Sequence, residues 1–270
     1  RHMVISDQRT FSNESAAVKS MGVKKLKPET SKNLNLGISI VPIKNLIVSA
    51  DYYEVDITNR ILYSNAITSS DTNTAVGKVS LDYDIPSLRL FANAADTKSK
   101  GVDVSLSYKN ILIGDGNLSI TSSANFNKIE LKNLAVPNAI VASNATLFNR
   151  QEISRILTNR PKNKILVGLN YNINKLNVVV NNTRFGQITW QHADNAIYDQ
   201  TFSAKWISDL MVGYNFTKTV SASLAVNNLL NVYPDKIITK GDNRTDIGGR
   251  VLYPIEVDQF GINGTTITGT

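Results

Sequence analysis

The stretch NLNLGISIVPIKNLIVSAD, residues 33–51, decides the fold. Leu34, Leu36, Ile38 and Ile40 alternate with Asn33, Asn35, Gly37 and Ser39. A short turn, PIKN at 42–45, follows. Leu46, Val48 and Ala50 then alternate with Ser49 and Asp51 before the pair Tyr52–Tyr53 blurs the phase. A period of two residues puts the apolar set on one face of a strand and the polar set on the other, which a helix cannot do.

The same alternation recurs downstream. Val102, Val104, Leu106 and Tyr108 interleave with Asp103, Ser105 and Ser107. Ile165, Val167, Leu169 and Tyr171 interleave with Lys164, Gly168 and Asn170. Leu210, Val212 and Tyr214 oppose Asp209, Gly213 and Asn215. Nine strands are expected, near 33–42, 46–58, 87–109, 117–131, 162–173, 176–190, 203–216, 220–232 and 257–270. Tight turns join the first and second (PIKN), fifth and sixth (NINK), and seventh and eighth (TKT), and the longer NILIGDG joins the third and fourth. The remaining links, 59–86, 132–161, 191–202 and 233–256, are long and rich in Asn, Asp, Ser and Thr.

Short turns at one end and long loops at the other are the plan of an outer-membrane β-barrel, with its turns in the periplasm. Charged groups facing hydrocarbon cost roughly 2–4 kcal/mol at mid-depth, so the apolar set is expected to face lipid and the polar set the lumen. Tyr108, Tyr171, Tyr214 and Phe216 fall at the turn-side ends, where an aromatic girdle belongs. The main alternative is a soluble β-sandwich, whose strands also alternate but usually run to five or six residues.

Composition agrees without deciding. The chain has 270 residues, no cysteine and a formal charge of +7, so disulfides and thiolate metal sites are excluded. No run approaches the roughly 18–20 apolar residues of a spanning helix, a test that barrel strands escape. The first residues, RHMVISDQRTFSNES, lack the apolar segment of a signal peptide. The positive charge is scattered, without an aromatic-plus-basic strand motif, which argues against nucleic acid.

Several segments, in a fixed order, resemble receptors of the TonB-dependent class. They are LKPETSKNLNLGISIVPIKNLIVSADYYEVDITNRI (26–61), FANAADTKSKGVDVSLSY (91–108), FNRQEISRILTNRPKNKILVGLNY (148–171), AKWISDLMVGYNFTKTVSASLAVNNLLNVYPD (204–235) and QFGINGTTITGT (259–270). The resemblance implies a transmembrane antiparallel up-and-down barrel of 22 strands with a plugged lumen. About nine of those strands are expected here, so residues 1–270 read as a C-terminal portion of the barrel. The plug and the TonB-binding box are expected to lie outside it. The implied function is import of a scarce ligand, such as a ferric siderophore or similar metal complex, across the outer membrane of a Gram-negative bacterium. TonB supplies the energy, and lipopolysaccharide surrounds the barrel. A passive porin-like channel is the competing reading within the same architecture.

No catalytic constellation, cofactor motif or metal-ligand spacing is present. His2 and His192 are the only histidines, and GDG at 114–116 lacks the helix that a phosphate loop requires. The importer reading places ligand-binding residues near the upper end of strand six: Arg184, Trp190 and His192. An arginine beside an aromatic group suits an anionic chelate through charge-assisted hydrogen bonds and stacking. The plainer reading has Arg184 paired with a lumen carboxylate and Trp190 in the outer girdle. RQEISRI (150–156) is expected to form one or two helical turns, with Arg150 and Arg155 facing ligand, lipopolysaccharide or plug. Asp51, Glu54 and Asp56 are expected to place at least two carboxylates in the lumen.

Overall fold

A computed structural model describes residues 8–236. The strand expected at 257–270 lies outside the described residues. In chain order the elements are β1 (Gln8–Thr10), α1 (Ala16–Ser20), β2 (Thr30–Ile43), β3 (Leu46–Tyr63), α2 (Ala75–Asp82), β4 (Ser87–Arg89), β5 (Phe91–Ile113) and β6 (Gly116–Leu134). They continue with α3 (Asn138–Ala142), α4 (Arg150–Leu157), β7 (Asn163–Ile173), β8 (Leu176–Phe185), β9 (Ile188–Trp190), β10 (Gln200–Phe202), β11 (Lys205–Asn215) and β12 (Ser221–Val226).

Eight of these strands form one sheet in the order β12-β11-β8-β7-β6-β5-β3-β2, and every neighbouring pair is antiparallel. The order in space follows the order in sequence, which is an up-and-down wall. Its tight turns rely on residues that tolerate the left-handed region: Asn45 (φ 67°), Gly114 (φ 58°) and Asn174 (φ 50°). The NILIGDG link proves to be such a turn. Strand β5 runs on to Ile113 and β6 starts at Gly116, with a bulge after Tyr108 where left-handed Asn110 absorbs the extra length.

The ladder fixes which side chains share a face. One face carries the rows Leu36–Tyr52–Val102–Phe126, Ile38–Ala50–Val104–Ala124–Ile165 and Leu46–Tyr108–Ile120–Leu169–Val180–Leu210. The opposite face carries Gly37–Asp51–Asp103–Asn125–Lys164 and Ser39–Ser49–Ser105–Ser123. Among the described residues, no second sheet covers either face. Leu36 is 63% exposed, Ile38 65% and Leu224 70%, although they belong to a continuous apolar surface. Water does not tolerate a patch of this extent, and the polar face has its own hydrogen-bond network. Asn125 Nδ2 donates to Asp103 Oδ1 at 2.5 Å, Asn127 Nδ2 to Asn125 Oδ1 at 2.8 Å and Asn177 Nδ2 to Asn170 Oδ1 at 2.7 Å. A sandwich would bury one of these faces, so the arrangement contradicts that alternative. The apolar face meets lipid and the polar face lines the lumen.

The apolar band has two borders, and both drift along the sheet. Its turn-side border is Tyr108 on β5, Tyr171 one row lower on β7, and Tyr214 one row lower again on β11. Its loop-side border follows the same course. Lys100 and Lys128 stand above Val102 and Phe126, Asn163 shares the Phe126 row, and Arg184 and Trp206 sit one row further down. Two parallel drifting borders are what tilted strands produce when they cross a slab of fixed thickness.

The long loops are not merely polar. Val18, Met21, Ile67, Val76, Leu88, Leu90, Ile140 and Leu147 are fully or almost fully buried and form one core with the upper end of β5. Among the described residues, the buried apolar side chains lie in this cap, in the upper end of β5 and in the β9–β10 hairpin, and none lies in the spanning wall. Buried Asn65 ties the cap together. Its Nδ2 donates to Thr146 O at 2.8 Å, and its Oδ1 accepts from Asn149 N at 3.1 Å. Residues 87–89 belong to the cap, since β4 pairs in parallel with β1 and not with the wall. The expected strand 176–190 likewise divides at Gly186, giving β8 and the β9–β10 hairpin.

Candidate functional site

The site is built where the cap meets the loop-side end of the lumen. Helix α4 starts at Asn149, whose side chain accepts from Glu152 N at 3.0 Å and satisfies one of the unpaired amides of the first turn. The helix ends against the hairpin: Thr189 N donates to Thr158 O at 2.9 Å, and Thr158 Oγ1 donates to Thr189 O at 2.8 Å. Between α4 and the upper ends of β3 and β6 lies a pocket of about 220 Å³ lined by Leu62, Leu131, Phe148, Ile153 and Ile156. Its rim is charged. Arg155 Nη1 meets Glu152 Oε2 at 2.9 Å, and Arg89 reaches the same carboxylate at 3.9 Å while stacking 5.3 Å from the Tyr63 ring. Arg60 Nη1 donates to Thr97 Oγ1 at 3.0 Å.

Trp190 and His192 are brought together, with ring centroids 6.1 Å apart, and Tyr198 packs 5.1 Å from the imidazole. Both are largely buried, at 4% and 8% exposed. His192 Nδ1 accepts from the amides of Asp194 and Asn195, each at 3.1 Å, so that nitrogen carries no proton. Arg150 couples this hairpin to α4. It grips Asp199 through two bonds of 3.1 and 2.7 Å and donates to His192 O at 3.1 Å. The bonds to Asp199 hold the Arg150 guanidinium above its ordinary range.

Arg184 is elsewhere. It is paired across the ladders with Ile165 and Trp206, on the apolar face, and Nη1 donates to Asn163 Oδ1 at 2.6 Å. The sheet register therefore puts it on the face opposite the lumen, and among the described residues no lumen carboxylate pairs with it. Trp206, 46% exposed on that face, occupies the girdle position expected of Trp190. The carboxylates also divide differently from expectation. Asp51 faces the lumen, whereas Glu54 and Asp56 share the outward face with Tyr52, because strict alternation puts only one of the three inside. The residues that sequence reasoning overlooked are Arg89, Glu152 and the apolar lining. Glu152 stood inside the RQEISRI segment, and its position three residues before Arg155 was the available signal. Among the described residues, no group of three His, Asp or Glu side chains is arranged to hold a metal ion.

A meander with a lipid-facing band, a polar inner face and a packed cap over its loop-side end defines the wall of an outer-membrane barrel. The TonB dependent receptor-like β-barrel family model matches residues 6–229, and the chain belongs to that family. Its place is the outer membrane of a Gram-negative bacterium.

Solved structures share the fold at low identity. The outer membrane transporter YddB of Escherichia coli is 14% identical with a TM-score of 0.55, over 85% of this chain and 31% of that one. The pyoverdine outer membrane receptor FpvA of Pseudomonas aeruginosa PAO1, bound to pyoverdine, is 17% identical with a TM-score of 0.53, over 78% and 27%. A mutant of the ferric enterobactin receptor PfeA of Pseudomonas aeruginosa is 16% identical with a TM-score of 0.51, over 76% and 26%. The match thus spans under a third of these structures. None of the curated proteins compared matches the chain.

Proposed function

We propose that this chain is the C-terminal portion of the barrel of a TonB-coupled receptor that imports an anionic metal chelate, with a ferric siderophore the best-fitting class. The observation that carries this reading is the cap over the loop-side mouth. There Arg155 and Glu152 line an apolar pocket, Arg89 reaches the Glu152 carboxylate, and helix α4 is tied to the Trp190–His192 hairpin by Arg150. Guanidinium groups bind planar oxyanions through paired donors, and an apolar floor beside them suits the aromatic or aliphatic parts of a chelator. Trp190 and His192 act here by holding the hairpin against α4. Plug and TonB contacts belong to the rest of the receptor. Relatives that bind pyoverdine and ferric enterobactin support the substrate class.

The test uses iron-limited cells carrying the complete receptor and radiolabelled ferric chelates. Saturable uptake that stops when the proton gradient is collapsed is expected. Arg155→Ala should weaken surface binding about tenfold, in line with the loss of one charge-assisted contact. Unsaturable uptake that ignores the gradient would establish a passive channel instead.

A further inference from the structure

Each of the four tight hairpins carries a lysine at its turn-side end. Lys44 lies in the β2–β3 turn, Lys109 at the bulge of β5, Lys175 in the β7–β8 turn and Lys218 in the β11–β12 turn. All four are exposed. Lys109 N donates to Asn45 O at 3.0 Å, which sets the first two hairpin ends side by side. Asn215 N donates to Lys175 O at 2.9 Å and does the same for the last two.

Turn geometry does not call for these lysines. The left-handed positions are held by Asn45, Asn110, Gly114 and Asn174, and any exposed polar side chain suits the places beside them. Charge balance does not call for them either. On the loop side, lysines are drawn to carboxylates: Lys98 to Glu54 and Asp56, and Lys100, Lys128 and Lys132 to Glu130. On the turn side, among the described residues, the one carboxylate is Asp115, exposed at the tip of the β5–β6 hairpin, and none of the four lysines forms an ion pair. Lys175 Nζ donates to Phe216 O at 3.0 Å, a neutral partner that leaves its charge uncompensated.

Position selects what completes them. Lys109 directly follows Tyr108, while Lys175 and Lys218 each stand four residues beyond the girdle residues Tyr171 and Tyr214. Lys44 comes two residues before Leu46, which shares the Tyr108 row. The ammonium groups therefore lie just outside the hydrocarbon slab, on flexible stems that reach the level of the headgroup phosphates. Neighbouring hairpins are two strands apart, about 10 Å, so at physiological salt each lysine is largely screened from the next and attracts its own anion. We infer that Lys44, Lys109, Lys175 and Lys218 form a docking belt for the anionic phospholipid headgroups of the periplasmic leaflet. The inference rests on the barrel's placement in the outer membrane with its turns in the periplasm. It does not depend on what is imported.

The test places a fluorophore on Leu118→Cys, outward in the Tyr171 row between Lys109 and Lys175, in the complete receptor with any other cysteine replaced by serine. The receptor is reconstituted in phosphatidylcholine vesicles that carry a minor share of phosphatidylglycerol or phosphatidylcholine with a nitroxide near the top of one chain. Phosphatidylglycerol should quench at about fivefold lower mole fraction than phosphatidylcholine, the factor expected of one lysine at an anionic headgroup. In the combined variant Lys44→Gln, Lys109→Gln, Lys175→Gln, Lys218→Gln the two lipids should quench alike, whereas the four corresponding changes to arginine should keep the preference. Salt at about 1 M should abolish it. A fluorophore on Val102→Cys, near the loop-side border, should not respond to the glutamine changes. Equal quenching in the unaltered receptor, or a preference that survives the glutamine changes or the salt, overturns the inference. Retention of the receptor on immobilised polyglutamate, lost with the glutamine changes while the two lipids quench equally, assigns the lysines to an acidic periplasmic protein and overturns it too. Retained heat-modifiable migration certifies that the glutamine variant is folded. If it does not fold, Lys109→Gln with Lys175→Gln decides by the same comparison, and an unchanged preference overturns the inference.

Discussion

Ser208 and Asn182 offer a sharp probe of the lipid-facing assignment. They oppose each other across β11 and β8 on the apolar face, and Ser208 Oγ donates to Asn182 Oδ1 at 2.6 Å. They stand one pleat below Arg184 and Trp206, about 7 Å along the strand, or roughly 5 Å in depth at a tilt near 40°. At that depth little water competes for the bond. Ser208→Ala leaves Asn182 Oδ1 without its donor beside hydrocarbon, which costs about 1–2 kcal/mol and shifts the folded fraction about 5- to 30-fold. Combining Ser208→Ala with Asn182→Leu removes the stranded group and should recover most of that loss, because replacing both partners by apolar groups is close to neutral. Denaturant titration of the receptor in phosphatidylcholine vesicles reads both effects. On a water-facing surface the single change would be silent and the double change unfavourable. That pattern would refute the assignment of this face to lipid.

Two further outcomes follow from the same geometry. Val104→Lys, outward and within the band, should destabilise by about 2–4 kcal/mol, while Ser105→Lys, inward, should cost little; equal midpoints in the same titration would count against the facing of β5. Asp235 bonds to Lys205 Nζ and Ser203 N, both at 2.5 Å. Burial alone would raise its carboxyl, but these bonds prevail and hold it at about 2, below its ordinary 3.8. A depressed carboxyl contributes stability that is complete above pH 4 and is lost as pH falls toward 2. The protection factor of the Ser203 amide, its exchange rate relative to the intrinsic rate at each pH, should therefore fall between pH 4 and 2, and Asp235→Asn should abolish that fall.

Much of the wall was legible in the sequence because a period of two is imposed by the solvent on each face. Once Leu34, Leu36, Ile38 and Ile40 are outward, the ladder carries the facing to every neighbour. Strand ends were less legible. At Asn110 a bulge continues the strand through residues that read as a link, and at Gly186 the chain leaves the wall while still extended. The cap was missed because its core is assembled from three separated segments, each too short to show periodicity. Val18, Val76 and Ile140 become one cluster only after the wall has brought residues 8–23, 64–90 and 135–149 together. The candidate site suffered in the same way. Arg184 is near Trp190 in sequence, but the break at Gly186 sends the hairpin into the cap while Arg184 stays on the lipid-facing side. Facing within a strand is a local property, whereas convergence of loops is not.

The most direct measurement of the wall and its orientation exploits the absence of cysteine from these 270 residues, with any cysteine elsewhere in the receptor replaced by serine. Single cysteines introduced along β5 at positions 102 to 107, each carrying a spin label in the complete receptor in lipid vesicles, report collisions with oxygen and with a water-soluble nickel chelate. The account predicts oxygen-dominated collisions at 102, 104 and 106 and chelate-dominated collisions at 103, 105 and 107, together with labelling of Asp82→Cys in the cap by an impermeant maleimide on whole cells. Uniform accessibility along β5, or a cap labelled only after the outer membrane is broken, would contradict it.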